Sequence, residues 1–108
     1  MTVSKLCVLL NAKPLSLPDA EREIDGVYIG DLLSWVMGRA KSDNVWITIM
    51  SNLNVVAVAS LSDVACVVMA EGVEPEGDII ETAKNKGVNI ISAPNSAYEI
   101  AALLSREL

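Results

Sequence analysis

The chain has 108 residues, room for one compact domain with a single core over 1–108 and too few for two. Its 8 basic side chains against 14 acidic ones leave a net charge of −6, with none of the basic striping that a phosphate backbone or an anionic membrane surface requires. Nucleic acid and membrane are therefore not expected partners.

Apolar residues make up 52% of the chain and mean hydropathy is +0.42. A domain this small has much surface per volume, so that share points to a homo-oligomer or an obligate partner covering part of it. Strands buried on both faces of an α/β monomer produce the same composition. The first ten residues carry a single lysine and no cleavage site after a long apolar core. The longest apolar stretch, VVAVASLSDVACVVMA (55–70), is broken by Ser60, Ser62 and Asp63 and is too short to cross a bilayer. The expected setting is soluble and cytoplasmic, where Cys7 and Cys66 stay reduced and read as small core hydrophobes.

TVSKLCVLLNA (2–12) predicts a first helix, capped by Thr2 or Ser4, with Val3, Leu6 and Leu10 on one face. KPLSLPDAEREIDG then connects, with a short edge strand around Leu15–Leu17, since its prolines bar a central position. IDGVYIG reads as a strand or strand end, and DLLSWVMGRAK as a helix turning Leu32, Leu33, Val36 and Met37 inward. Arg39 and Lys41 suit that helix's negative end.

NVWITIM (44–50) is a buried, β-branched strand. SNLNVVAVASLSDVA is helical by the spacing of Val55, Val58 and Leu61, with Ser51, Asn52 or Asn54 as cap and an end near Asp63. CVVMA (66–70) is the next strand. EPEGDIIETAKNKG begins with Pro75 near the first helical position, carries acids early and lysines late, and ends on Gly87. VNIISA is a strand, and NSAYEIAALLSREL opens with a Ser96–Glu99 capping box. Alternating strands and helices with short connections predict βαβ units and a parallel sheet covered by helices.

The chain has no histidine, which removes the commonest general base and metal ligand and with them Ser–His–Asp and Cys–His hydrolysis. Two cysteines 59 positions apart cannot hold zinc or an iron–sulfur cluster. No catalytic residue, metal ligand set or cofactor is assigned. The one enzymatic reading left is Asp31 or Asp63 with Mg²⁺.

Gly26, Gly30 and Asp31 could suggest a phosphate cradle. Their G-x-x-x-G-D pattern matches neither a dinucleotide fingerprint nor a P-loop, and Asp31 would repel a phosphate. As an N-cap, Asp31 would satisfy backbone N–H groups, with Gly30 easing the turn and Gly26 marking a bulge or close approach.

At REIDGVYIGDLLSWVMGRA, and on through VWITIM to NSAYEIAALL, the chain resembles a DRTGG domain over nearly all of residues 2–106. The family's name-giving stretch falls at about Arg22–Val27, here REIDGV. Asp25 and Gly26 replace a threonine–glycine pair there, and Val27 stands where a second glycine is expected. Closer matches are YIGDLLS and the tail from EGVEPE to GVNIISAPNSAYE, which also resembles the N-terminal domain of HPr kinase/phosphorylase. The resemblance implies a three-layer α/β fold with a small, mostly parallel sheet flanked by helices. It also implies a non-catalytic accessory or regulatory role and a homodimer.

Two functions follow as expectations. The first is a regulatory or interaction module that self-associates or meets a protein partner encoded nearby, with Trp35 and Trp46 at or near the contact. The second is a small-metabolite or nucleotide sensor using Tyr28, Asp31, Thr48, Ser51, Asn52 and Asn54, which fall at strand ends and the loops beyond them. The plain alternatives are core packing for the tryptophans, and capping and turn formation for the polar set.

Overall fold

Ten elements alternate along the chain in the computed structural model, which describes all 108 residues. They are α1 (Val3–Leu9), β1 (Lys13–Ser16), β2 (Val27–Ile29), α2 (Leu33–Arg39), β3 (Val45–Thr48), α3 (Asn54–Ser62), β4 (Cys66–Met69), α4 (Ile79–Lys86), β5 (Ile90–Ser92) and α5 (Ala97–Ser105). The sheet order is β1-β5-β4-β3-β2. β2 to β5 are parallel and step one place at a time, while β1 closes the far edge antiparallel to β5.

Three successive crossovers in one direction, each of the same hand, put α2, α3 and α4 on one face of the sheet. α1 and α5 cover the other. The strand side chains divide accordingly, because neighbours along a strand point to opposite faces. Val45, Ile47, Cys66, Val68 and Ile91 pack with Val3, Leu6, Leu10, Ile100 and Leu104. Trp46, Val67, Met69 and Ile90 pack with Val36, Val55, Val58, Ala59, Ile79 and Ala83. β3 and β4 are buried at every position, which is why they read as unbroken apolar runs. The result is the expected three-layer α/β fold.

Local signals explain most boundaries. Thr2 Oγ1 accepts the Lys5 N–H at the start of α1. Ser96 and Glu99 form the reciprocal capping box of α5. Asp63 and Gly87 end α3 and α4 in the left-handed conformation, at φ 55° and 71°. β1 sits at an edge as its proline requires, starting two residues and ending one residue earlier than expected.

Four expectations need correction. Asp31 does not cap α2: the N-cap is Leu32, without a side-chain hydrogen bond. α4 begins at Ile79, so Pro75 lies outside it, held in a loop where the Glu76 N–H donates to the Ser51 carbonyl. Leu32 and Met37 face solvent and Leu33 is only half-buried, leaving Val36 as the one buried residue of α2. Leu61 is likewise exposed, because α3 turns Val55, Val56, Val58 and Ala59 to the sheet. For the two helices the physical reason is shared: apolar spacing groups residues on one helical face, but only the part of that face that meets the sheet is covered.

No helix is long and apolar enough to cross a membrane.

Candidate functional site: the carboxyl rim and the open edge

Parallel strands all end on one side, and there the loops after β2, β3 and β4 converge. Asp31, just past β2, reaches across to β3. Its Oδ1 accepts from the Thr48 hydroxyl at 2.8 Å and from the Ile49 N–H at 3.0 Å. Thr48 Oγ1 in turn accepts from the Met50 N–H at 3.1 Å. The Ser51 hydroxyl donates to Glu76 Oε2 at 3.0 Å, and Asn52 Oδ1 accepts from the Asn54 N–H at 3.0 Å.

The structure therefore gathers Asp31, Thr48 and the Ser51–Asn52 turn on one rim, where Asp31 Oδ1, the Thr48 and Ser51 hydroxyls and Asn52 Oδ1 are already engaged with one another, with Glu76 or with the backbone. Asn54 supplies the first residue of α3 rather than its cap. Tyr28 lies one layer below, its ring edge 3.0 Å from where a Cβ on Gly30 would stand. Gly30 thus gives the ring room, and its carbonyl accepts from Trp46 Nε1 at 2.9 Å.

The two tryptophans part company. Trp46 is fully buried and belongs to the core, so it is not a contact residue. Trp35 is 52% exposed on α2, with the Arg39 guanidinium 3.7 Å above its ring. Of the cysteines, Cys66 is buried as expected and Cys7 only partly so, and burial raises both thiols above their usual range.

At the opposite end of the strands stands a constellation that single-residue reading missed. Arg22 donates through Nε and Nη2 to Asp43 Oδ1, at 3.0 and 2.9 Å. Its Nη2 also meets the Asp63 carbonyl at 2.7 Å and carboxylate at 3.0 Å. Ser42 donates to Asp63 Oδ2 at 2.6 Å. That hydrogen bond, followed by the Arg22 bond and charge, outweighs burial and holds the Asp63 carboxyl below its ordinary range. For Arg22 burial opposes the charged form, but its bonds to Asp43 and Asp63 outweigh burial and raise it.

Asn44 joins the same clasp, donating to the Asp25 carbonyl at 2.8 Å and accepting from the Lys41 N–H at 2.9 Å. The REIDGV stretch thus ties the starts of β2, β3 and β4 together. A usable signal was present in the sequence: aspartates at 43 and 63 just before buried strands, where a left-handed residue is tolerated best by Gly, Asn or Asp. Asp31 and Asp63 lie at opposite ends of the strands and cannot share an ion, and no group of three His, Cys, Asp or Glu residues is placed to hold a metal.

The largest concavity is neither rim nor clasp. It is an apolar groove of about 510 Å³ along β2, where Val27 and Ile29 meet Ala101, Leu104, Ser105 and Leu108 at the end of α5. A second recess of about 70 Å³ lies beside Arg22, Asp63 and Lys86.

No curated protein matches the chain. Among solved structures, the CBS and DRTGG domains of the regulatory region of Clostridium perfringens pyrophosphatase, complexed with the activator diadenosine tetraphosphate, superpose with a TM-score of 0.77 at 15% identity. The match takes in 99% of this chain but 47% of that one, so this chain spans about half the length of its structural neighbour. That likeness establishes the fold. The model of the DRTGG domain matches residues 5–106 of the 108. The chain belongs to the DRTGG domain family.

Proposed function

We propose that this chain is a non-catalytic regulatory module that acts by contact, pairing with a second copy of itself. The observation that carries the reading is the apolar surface left open on α2: Leu32, Trp35 and Met37 are each more than half exposed, and Val36 is the one buried residue of that helix. Trp35 is a suitable anchor, a large aromatic held in place by Arg39. The lack of histidine and the internal use of the rim carboxylates support a role in binding rather than turnover. The absence of a basic stripe argues against nucleic acid, and two cysteines that form no disulfide fit the cytoplasm. Sedimentation or light scattering at micromolar concentration tests the reading: a dimer is expected, and a clean 11.5 kDa monomer would overturn it.

A second reading, nucleotide or metabolite sensing at the carboxyl rim, is favoured by one finding. The similar pyrophosphatase regulatory region is complexed with diadenosine tetraphosphate. Here Tyr28, Asp31, Thr48, Ser51, Asn52 and Asn54 would supply the contacts, with Thr48 and Ser51 giving up their present hydrogen bonds to Asp31 and Glu76. Thermal shift with diadenosine tetraphosphate and with simpler adenine nucleotides decides it. A rise in melting temperature at millimolar ligand supports sensing, and no rise removes that ligand class.

A further inference from the structure

We infer that the second copy docks edge to edge, β2 against β2 across a two-fold axis through Tyr28, so that two five-stranded sheets become one. The inference rests on the self-association proposed above and adds to it the surface, the register and the symmetry.

The hydrogen-bonding pattern comes first. The Val45 N–H donates to the Gly26 carbonyl and the Gly30 N–H to the Ile47 carbonyl. In a parallel ladder alternate residues face the neighbouring strand, so 26, 28 and 30 face β3. Val27 and Ile29 turn their N–H and C=O groups away from the sheet, one on each side of Tyr28. A two-fold axis at Tyr28 sets Val27 opposite Ile29 of the second copy, and the two pairs exchange four hydrogen bonds. An edge with this symmetry about its central residue is its own complement.

The two edges of the sheet are also treated differently. β1 is guarded as solvent-facing edges usually are, by exposed Lys13 and Pro14 and by a break in register between Pro14 and Ser16. β2 carries Val27, Tyr28 and Ile29, with neither charge, proline nor bulge. A bare apolar edge in a natural protein is one that something covers.

Area decides what else must take part. An ordinary interface needs about 800 Å² per partner, roughly a seventh of the 5555 Å² surface, and three strand residues fall well short of that. Both flanks of β2 supply more. On one face, the groove leaves Ile29 and Leu108 about half exposed. On the other stand Leu32 and Trp35 of the α2 turn. With strands about 4.8 Å apart, the two β3 strands of the dimer would lie about 14 Å from each other. The two α5 helices above them then approach across the groove, where Ala101 and Ser105 are small enough to permit it. A second copy therefore fills on both faces what one copy leaves open.

Sedimentation of the wild-type chain, Ile29→Lys and Ile29→Pro, with circular dichroism melts to establish folding, tests this. Ile29 is 51% exposed, so lysine is tolerated in a single subunit, and proline removes an N–H that the chain itself does not use. A third variant, Tyr28→Cys in a Cys7→Ala background, sets two thiols face to face at a pair without mutual hydrogen bonds, where strands approach most closely. The expected result is a wild-type dimer, dimer dissociation raised about tenfold or more in both Ile29 variants, and a disulfide-linked species of about 23 kDa, twice the 11.5 kDa chain, under mild oxidation. A wild-type monomer overturns self-association and the edge pairing together. A dimer untouched by folded Ile29 variants, without the cross-link, overturns the edge pairing alone and leaves self-association standing.

Discussion

The Asn44 amide nitrogen stands 2.8 Å from the point a Cβ on Gly26 would occupy, and Gly26 itself has φ of 82°. Both facts demand glycine. The same Asn44 nitrogen binds the Asp25 carbonyl, so the side chain cannot yield without giving up that bond. Gly26→Ala should cost about 2 kcal/mol or more, from left-handed backbone strain and a displaced amide. In an Asn44→Ala background the same change should cost less, because only the backbone strain is left. Urea melts of the four chains measure both quantities, and equal costs in the two backgrounds would show that Asn44 is not the obstacle.

Arg22 is the hub of the clasp, so Arg22→Ala should lower stability by about 1–2 kcal/mol, discounted for the partial exposure of its acidic partners. The pH dependence has a definite sign. The folded Asp63 carboxyl sits below its unfolded value, so its contribution is complete above roughly pH 4 and is lost as pH falls through the lowered folded value. Melting temperature measured from pH 6 down to pH 3 should fall less steeply in Asp63→Asn than in the wild type. An unchanged slope would mean that Asp63 does not carry the linkage.

The fold was legible where periodicity and caps agree. Val3, Leu6 and Leu10 on α1, the Ser96–Glu99 box and the Gly87 stop each follow from local chemistry. The apolar runs of β3 and β4 announced a sheet covered on both faces. What the chain could not announce was long-range choice. Asp31 has the side chain of a helix cap, and only the proximity of Thr48, 17 positions on, turns it across to the next strand. Arg22 and Asp63 are 41 positions apart, and nothing in either neighbourhood names the other. Likewise Leu32 and Leu33 look equivalent along the chain, but the layer beneath covers only one side of α2.

The two tryptophans should respond differently to the same treatment. Trp46→Phe keeps most of the core volume but leaves the Gly30 carbonyl without its donor, at a cost of about 1–3 kcal/mol. Trp46→Ala opens a cavity and should cost about 3–5 kcal/mol. Trp35→Ala, on the exposed side of α2, should change subunit stability by no more than about 0.5 kcal/mol. Its effect should appear in dimer dissociation instead. Chemical denaturation beside sedimentation separates the two, and a large stability loss in a Trp35→Ala monomer would place that residue in the core after all.

The Asp31–Thr48 bridge gives the sharpest test of what the rim carboxylate is for. As a pure acceptor, Asp31 serves the Thr48 hydroxyl and the Ile49 N–H through one oxygen, and an amide oxygen could do the same. Asp31→Asn should therefore cost at most about 0.5 kcal/mol, whereas Asp31→Ala, which strips both donors of their partner, should cost about 1–2 kcal/mol. Thr48→Val should match Asp31→Ala, because it orphans the Met50 N–H as well as removing a donor to Asp31. The three melts are enough. If Asp31→Asn falls with Asp31→Ala, the negative charge matters and not the acceptor, and the rim would need a cationic partner that the chain's own side chains do not provide.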